Sequence, residues 1–385
     1  MKTHVCLVSE QAAANLLPAL DAQLKPQKVV LVVSTKMQRR AEHLTSVFKE
    51  SAIQVSVCTL GNEHDFQQTE NELLDLAAEI ASDEVALNIT GGTKLMSIAA
   101  QSVAQASSWR MFYVDADTDR VVWLGKDAPP AQPLAQQLKL RHYLRSYGFE
   151  LTQKPARPQA TAAQQTLKQN LTQQVDSLKD ALADLNWLAQ NAEEHRNLSV
   201  QLDARQLDSR SLDVLLRDFE RAQALTLKGD RIQFASEAMR DFVKGGWLEL
   251  HVIQAVHEVT GSLNIRDKAM GLEVQDQATQ TRNELDIAFM ARNRLFVIEC
   301  KTARIDKPQG NSDRAAPPKA NDTLFKLAEN CRRIGGYGTR GMLVSYRELR
   351  EPEQKLARAL NIEVVAGRQI ADLAGRLKRW VQPGQ

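Results

Sequence analysis

Two short apolar stretches that carry charged residues constrain this chain more than any other feature. Residues 285–290 and 295–302 predict the two strands of a hairpin, joined by the polar segment 291–294. Because side chains alternate between the faces of a strand, Glu284 and Asp286 are predicted to share one face of the first strand. Glu299 and Lys301 are likewise predicted to share one face of the second. Buried charge without a partner is costly, so these strands require a compensating group.

A divalent metal ion would supply that compensation. Hard oxygen ligands on rigid strands suit Mg²⁺ or Mn²⁺, and such an ion orients and acidifies a water for attack on phosphorus. The alternative is a surface hairpin with salt bridges, which contribute little to stability. The apolar residues on both sides of the charges favour burial and therefore the metal site.

The spacing of Asp286 and the Glu299-x-Lys301 motif resembles the PD-(D/E)xK nuclease core. This resemblance implies that Asp286, Glu299 and the main-chain carbonyl of Cys300 hold the metal, and that Lys301 positions or helps to deprotonate the attacking water. Such cores often draw a further acid from a preceding helix, and Glu249 in the segment 245–253 fits that place. Glu284 is a further candidate ligand.

The first 125 residues alternate predicted strands with predicted helices. Because the strands are continuous apolar runs, both faces of the sheet are expected to be covered, which predicts a doubly wound parallel sheet of the α/β class. The predicted strands span 5–8, 28–33, 54–60, 84–89 and 111–114, and the predicted helices span 14–24, 37–51, 66–81 and 94–106. A hairpin of residues 111–115 and 120–124 is expected to add an antiparallel edge.

Polar residues follow three of these strands, at the edge where open α/β sheets bind ligands. Paired glycines let backbone amides approach a phosphate, and a helix N-terminus favours anions. No dinucleotide-binding or nucleoside-triphosphate glycine motif is present. The alternative is a tight strand-to-helix turn with threonine as the N-cap. The predicted ligand-binding residues are Ser9, Glu10, Gln11, Ser34, Thr35, Thr90, Gly91, Gly92, Thr93 and Lys94.

The segments 8–11, 15–18, 34–35 and 90–94 resemble the CARF domain, over about residues 1–140. With the C-terminal core, the chain resembles the CRISPR ancillary nucleases of type III systems that are activated by cyclic tetra-adenylate. The resemblance implies a homodimer that cleaves DNA, RNA or both with Mg²⁺ or Mn²⁺. A symmetric ring suits a twofold dimer, since each protomer offers the same pocket to half of the ring.

The predicted domains are a CARF sensor (1–145), a linker and helix (146–197), a small mixed segment (198–246) and a restriction-endonuclease-like α/β domain (247–385). The mixed segment has a helix at 211–225 and a tight hairpin at 227–234, so a winged-helix-like shape is possible. A loop at 304–322 is expected beside the nuclease site, followed by a helix at 323–334, strands at 341–344 and 363–365, and a helix at 370–380.

The cysteine placement and the lack of targeting segments predict a cytoplasmic protein. The four cysteines form no C-x-x-C pair, and Cys6 and Cys58 are predicted to be buried free thiols. No signal peptide is evident, and no apolar run approaches the roughly 18 residues that span a bilayer. Two other functions stay open: a CARF-type ligand-controlled nucleic-acid-binding regulator without catalysis, and a repair nuclease without a sensor. The Asp286, Glu299 and Lys301 set opposes the first, and the sensor residues oppose the second.

Overall fold

Strands and helices alternate in the N-terminal part of the chain. The structure is a computed structural model that describes residues 2–80, 84–115, 118–134, 138–153, 160–303 and 319–382. The strands of this part are β1 (Thr3–Leu7), β2 (Lys28–Val33), β3 (Gln54–Thr59), β4 (Val85–Asn88), β5 (Arg110–Asp115), β6 (Arg120–Leu124) and β7 (Gln132–Pro133). The helices are α1 (Ala13–Leu20), α2 (Gln38–Glu50), α3 (Phe66–Glu79), α4 (Lys94–Ala106) and α5 (Leu140–Ser146).

These strands form one sheet in the order β3-β2-β1-β4-β5-β6-β7. Strands β3, β2, β1, β4 and β5 are parallel, and β6 and β7 continue the sheet antiparallel. The predicted parallel sheet and its antiparallel addition are therefore confirmed. The prediction that Cys58 is buried is wrong, because β3 is an edge strand, where Cys58 is half-buried and Val57 is 52% exposed. Cys6 is a buried free thiol, as predicted.

The middle of the chain is a helical segment with a small sheet. Its elements are α6 (Ala162–Gln173), α7 (Val175–Glu194), β9 (Ser199–Gln201), α8 (Ala204–Leu207), α9 (Arg210–Arg221), β10 (Leu225–Lys228) and β11 (Arg231–Phe234), preceded by β8 (Phe149–Leu151). The single helix predicted at 162–195 is two helices, since Gln174 between them leaves helical geometry at φ −111°. Strands β10, β11 and β9 form an antiparallel sheet in that order, and the winged-helix-like shape of the segment 198–246 remains a prediction.

The C-terminal part is a second mixed sheet flanked by helices. Its elements are α10 (Glu237–Asp241), α11 (Trp247–Glu258), β12 (Asp267–Asp276), β13 (Arg282–Ala291), β14 (Arg294–Lys301), α12 (Lys319–Gly335), β15 (Arg340–Ser345), α13 (Glu351–Ala359), β16 (Ile362–Ala366) and α14 (Leu373–Val381). The sheet order is β16-β15-β14-β13-β12-β8. Strands β14, β15 and β16 are parallel, and the others pair antiparallel.

Several of these elements were not predicted from the sequence. The ten-residue strand β12 was missed, as were α5 and α13. Strand β8 lies inside the predicted linker, yet it pairs with β12 and so belongs to the C-terminal sheet. Helix α12 begins at Lys319, within the predicted loop at 304–322, whose residues 304–318 lie outside the described part of the chain.

Three apolar cores hold the described residues together. One core lies between α3, α4 and one face of the first sheet. A second includes α1, α2 and α5 and continues to α12, α13 and one face of the C-terminal sheet. The third joins α6, α7 and the segment 198–246 to α11, α14 and the opposite face of that sheet. Because the second core contains residues of both sheets, the N-terminal and C-terminal parts of the chain are packed together.

No helix within the described ranges is long and apolar enough to cross a membrane.

Candidate functional site

The predicted nuclease hairpin is formed by β13 and β14. Arg292 and Asn293 make a two-residue turn with φ angles of 49° and 54°, the backbone that matches the twist of paired strands. The backbone ladder runs from the pair Ala291 and Arg294 to the pair Ile287 and Ile298. The hairpin therefore holds its next residues, at the open end, in a defined register.

The regular ladder stops where Asp286 faces Glu299. Continuing the register places these two residues opposite each other, but the Cys300 N–H donates to the Asp286 Oδ2 at 2.7 Å instead. Because a side-chain carboxylate replaces a backbone carbonyl as the acceptor, the strands no longer form regular pairs here. The Asp286 carboxylate is thus held on the backbone beside Glu299.

The alternation of side chains along β13 is interrupted at the same place. Leu285 and Ala288 pack in the second core, whereas Ile287 packs in the third. In a regular strand Leu285 and Ile287 would face the same side. Gly271, at the same level on the neighbouring strand β12, has a φ of 57°, which favours glycine. A Cβ built on Gly271 would lie 3.6 Å from the Glu284 Oε1, so this irregularity directly borders the acidic cluster.

Lys301 is the cation of the cluster. Its Nζ lies 2.6 Å from the Glu299 Oε1, and both side chains are largely buried. Burial alone would lower the pKa of Lys301, but the negative charges of Glu299 and Asp286 outweigh it and raise that pKa. Lys301 is therefore an ammonium group at neutral pH.

Burial and mutual repulsion raise the pKa values of two carboxylates in the cluster. Burial and then the neighbouring charge of Glu299 raise the pKa of Asp286 to about 7, against the opposing effect of Lys301. Glu249, in the first turn of α11, has its pKa raised by burial and then by Glu284. Lys301 only partly offsets this crowding of negative charge, and a cation is the group that would relieve it.

A cavity of about 760 Å³ opens beside these groups. Glu249, Glu284, Lys301 and Thr302 line it, together with the kinked turn Phe242–Gly246 that leads into α11. The kink lies at Gly245, whose backbone leaves helical geometry at φ 173° and ψ −21°. Asp286 and Glu299 do not line the cavity themselves. Their partners do: Cys300 donates its N–H to Asp286, and Lys301 pairs with Glu299.

The donor set is chemically suited to a hard divalent ion, because its side chains are carboxylates and Cys300 adds a backbone carbonyl. Within the described ranges, no three His, Cys, Asp or Glu side chains are grouped as a metal site. The metal site predicted from the PD-(D/E)xK resemblance uses only two side chains, Asp286 and Glu299, together with the Cys300 carbonyl. The assignment of metal ligands remains a prediction.

The predicted ligand-binding residues of the first sheet lie at one edge. Strand β1 is paired with β2 on one side and β4 on the other, all parallel, so the loops after these three strands are neighbours. A Cβ on Gly91 would meet the Leu7 carbonyl oxygen at 2.1 Å and the Ser9 Oγ at 3.2 Å. Glycine at this position therefore lets the loop after β4 pack against the end of β1.

Two of the predicted ligand-binding threonines have structural partners. The Thr90 hydroxyl donates to the Asn88 Oδ1 at 2.6 Å and accepts from the Val114 N–H at 2.7 Å. The Thr93 Oγ1 caps α4 by accepting from the Met96 N–H at 3.2 Å. Lys94 is exposed at the start of α4. The role of these residues in ligand binding remains a prediction, and Thr90 has the least free capacity for it.

Two family models match this chain. Residues 3–143 match the Card1 CARF domain, and residues 236–383 match the endonuclease domain of Card1-like proteins. Together they cover more than half of the sequence. The chain joins a Card1 CARF domain to a Card1-like endonuclease domain. The endonuclease match starts at α10, before the predicted boundary at 247, and therefore includes the kinked turn Phe242–Gly246.

Solved structures of the same architecture are available for comparison. Protein VC1899 from Vibrio cholerae has 24% sequence identity and a TM-score of 0.87, over 99% of this chain and 98% of that chain. Can2 from Sulfobacillus thermosulfidooxidans, solved with cyclic tetra-adenylate, has 23% identity and a TM-score of 0.81, over 99% and 100%. A type III CRISPR defence DNA nuclease activated by cyclic oligoadenylate has 19% identity and a TM-score of 0.55, over 90% and 45%. At these identities the likeness shows the fold. Curated proteins yielded no match.

Sequence reasoning missed two features of the CARF and endonuclease domains. In the CARF domain, the buried Asn88 donates to the Asn15 Oδ1 at 3.0 Å, and Asn15 donates to the Leu7 carbonyl at 3.0 Å. This amide network ties β1, α1 and β4 together beneath the predicted ligand edge. In the endonuclease domain, Lys244 lines the cavity. An asparagine ending an apolar strand was a usable signal, whereas nothing near Lys244 in the sequence indicated the cavity.

Proposed function

We propose that this protein is a metal-dependent nuclease of type III CRISPR antiviral defence. It would act in the cytoplasm and cleave DNA, RNA or both without sequence specificity when its CARF domain binds cyclic tetra-adenylate. One observation carries this proposal: in a Card1-like endonuclease domain, the Cys300 N–H holds the Asp286 carboxylate opposite the Glu299 and Lys301 pair. The Can2 structure, solved with cyclic tetra-adenylate, supports the choice of activator.

In this proposal Asp286, Glu299 and the Cys300 carbonyl hold Mg²⁺ or Mn²⁺, with Glu249 or Glu284 as further ligands. When bound, the ion supplies Lewis-acid catalysis and lowers the pKa of a water. The crowding that raises the pKa of Asp286 and Glu249 supports this role. A divalent ion would keep both carboxylates ionised and relieve their repulsion.

Lys301 is proposed to orient rather than to accept a proton. Its raised pKa keeps it protonated, so its N–H groups donate to the attacking water or to a phosphate oxygen. Glu299 accepts from Lys301 and fixes the direction of the ammonium group. Proton acceptance by Lys301 would require the loss of charge that its two carboxylate neighbours disfavour.

The CARF domain is proposed to bind the ring as a homodimer. The glycine amides at 91–92 and Lys94 would hold ring phosphates, and a second copy would supply the other half of the pocket. Leu95 and Ile98 are 39% and 55% exposed on α4, next to Lys94. Because the two side chains lie one turn apart and form adjoining apolar surface, they support a twofold contact at the ligand edge.

The competing function is a ligand-controlled regulator that binds nucleic acid through the segment 198–246. The order of elements from α7 to β11 favours this alternative. On α9, however, Arg217 pairs with Asp213 and Arg221 with Asp218. Because α9 carries as many carboxylates as arginines, its surface lacks the net positive charge that supplies nonspecific affinity.

A cleavage assay separates the two functions. Plasmid DNA and single-stranded RNA are incubated with the protein, with and without cyclic tetra-adenylate, and then with EDTA followed by Mg²⁺ or Mn²⁺. We expect cleavage only with both ring and metal, and no cleavage by Glu299→Ala. Undiminished cleavage in EDTA would exclude the metal mechanism. Ring-dependent binding of nucleic acid without cleavage under any of these conditions would favour the regulator.

A further inference from the structure

Lys244 lies on the rim of the endonuclease cavity, within the kinked turn Phe242–Gly246. Among the lining residues that the structure describes, Lys244 and Lys301 are the basic ones, against Asp241, Glu249 and Glu284. Lys301 already pairs with Glu299 at 2.6 Å. A polyanionic substrate that enters this acidic cavity therefore needs a second positive contact close to Lys301.

The backbone of Lys244 is fixed relative to the predicted catalytic strand. The Thr302 Oγ1, one residue beyond Lys301, donates to the Lys244 carbonyl at 2.9 Å. A Cβ on Gly245 would lie 3.2 Å from the same Thr302 oxygen, so glycine permits this close approach. The turn thus anchors Lys244 to β14 while the side chain stays about one-third exposed.

The ammonium group of Lys244 pairs with Glu193, which does not line the cavity. Its Nζ lies 2.6 Å from the Glu193 Oε2 near the end of α7. Both side chains are partly exposed, at 33% and 35%, and a pair of this kind exchanges readily because it contributes little stability. Glu193 therefore holds the ammonium group at the cavity rim and competes with any incoming anion.

We propose that Lys244 binds a phosphate of the nucleic-acid backbone next to the scissile position, exchanging Glu193 for the substrate. The contact is sequence-independent, as phosphate contacts are. It gives α7 a role in substrate binding, because Glu193 sets how available Lys244 is. This inference rests on the proposed nuclease function and names the substrate-binding residue of the same site.

Opposite changes in two variants test the proposal. Binding of fluorescein-labelled single-stranded DNA and RNA of mixed sequence is measured by anisotropy, in EDTA with cyclic tetra-adenylate, over a range of KCl concentrations. Lys244→Gln is expected to weaken binding about tenfold and to reduce the salt slope by about 0.7, the value for one phosphate contact on a single strand. Glu193→Gln is expected to tighten binding about twofold or more, since it frees the ammonium group.

The controls separate binding from folding. Lys355→Gln removes a lysine that is paired in the same way, 2.7 Å from Glu351 on α13, and should leave affinity unchanged. Lys244→Arg should restore most of the affinity because it keeps the charge. With metal added, Lys244→Gln should raise KM more than it lowers kcat. Thermal unfolding and ring binding report whether each variant is folded.

The results distinguish the inference from the proposed function. The inference is overturned if the wild-type protein binds or cuts nucleic acid while Lys244→Gln behaves like Lys355→Gln. It is also overturned if Glu193→Gln weakens binding as much as Lys244→Gln, because a purely structural ion pair would give that result. If the wild-type protein neither binds nor cuts either probe, the nuclease function fails and the inference fails with it.

Discussion

The carboxylates of the endonuclease cluster are held in different ways. Asp286 accepts from the Cys300 N–H, Glu299 pairs with Lys301, and Glu249 enters from the first turn of α11. The Cys300 N–H and Lys301 offset part of the negative charge of Asp286 and Glu299. These differences also predict that individual substitutions will differ in their effects on chemistry and on folding.

Removing either member of the Glu299 and Lys301 pair should stop cleavage. Lys301→Ala or Glu299→Ala is expected to lower the rate by about 10² or more, the usual scale for a positioned catalytic group. Ring binding, measured by calorimetry, should remain unchanged because the CARF edge is separate. Glu351→Ala, at an exposed site on α13, is the matched control. Cleavage by either mutant at close to the wild-type rate would refute the site assignment.

His4 lies in the middle of the first sheet without a polar partner. It is fully buried, neither ring nitrogen has a hydrogen-bond partner, and its ring packs edge-on against Phe112 with centroids 5.3 Å apart. Burial, and then the positive N-terminus, lowers its pKa to about 4 from 6.5. The folded protein therefore keeps His4 neutral at a pH where the unfolded chain is protonated.

This difference predicts a loss of stability in mild acid. The contribution of neutral His4 is complete above pH 6.5 and declines as the pH falls from 6.5 towards 4. The decline can reach about 1.4 kcal/mol for each pH unit. His4→Leu should flatten this part of the curve of unfolding free energy against pH, measured with urea, whereas replacing the exposed His64 by Leu should not. An equally steep curve in His4→Leu would show that other groups cause the loss.

At the scale of elements, the loop between β4 and α4 joins the sensor strands. Gly91 approaches the Leu7 carbonyl, and Gly92 has a φ of 75°, a conformation that side chains with a Cβ rarely adopt. Thr93 then caps α4, which leaves Lys94 exposed in its first turn. The loop therefore packs against the end of β1 and leaves one exposed cation beside it.

Substitutions in this loop should raise the concentration of activator that is needed. Gly92→Val strains the backbone, and Lys94→Ala removes a contact to a ring phosphate of roughly 1.5–3 kcal/mol. Both should shift the titration of cleavage by cyclic tetra-adenylate at least about tenfold. Gly261→Ala is a suitable control, because a Cβ there meets nothing within 4 Å. Identical titrations for wild type and both loop variants would remove this loop from the binding site.

At the scale of the whole molecule, α5 connects the CARF domain to the endonuclease domain. The Tyr143 hydroxyl donates to the Gly335 carbonyl at the end of α12, at 3.0 Å. Arg40 on α2 donates to the Ser146 carbonyl at 2.7 Å and lies 3.4 Å from Glu10, in the loop after β1. These contacts form a short route from the ligand edge to α12.

Loss of the Tyr143 contact should weaken activation without weakening ring binding. A ring activates only by binding the active arrangement more tightly than the resting one, so the contact matters if it differs between them. Tyr143→Phe removes one hydrogen bond of about 1 kcal/mol, and the maximal ring-dependent rate should fall about fivefold. Tyr113→Phe, at a 44% exposed site, is the control. An unchanged maximal rate would exclude this contact from the activation route.

Much of the architecture followed from local sequence patterns. The structure has the CARF strands and the β13–β14 hairpin where the apolar pattern predicts them. This prediction works because the residue types along a strand show whether one or both of its faces are buried. Strand β12 was missed because it mixes half-buried with buried residues over ten positions. Strand β8 was missed because three residues near a proline-containing segment carry no periodic signal.

Some features of the candidate site follow from the sequence, and others only from the tertiary structure. The sequence by itself determined that Asp286, Glu299 and Lys301 lie on adjacent strands, since hairpin register is local. Only the tertiary structure decided that Glu249 joins them, that the ladder opens at Asp286, and that Lys244 and Glu193 meet at the cavity rim. These contacts depend on how separate helices pack across the sheet, and packing between distant segments leaves no periodic pattern in the chain.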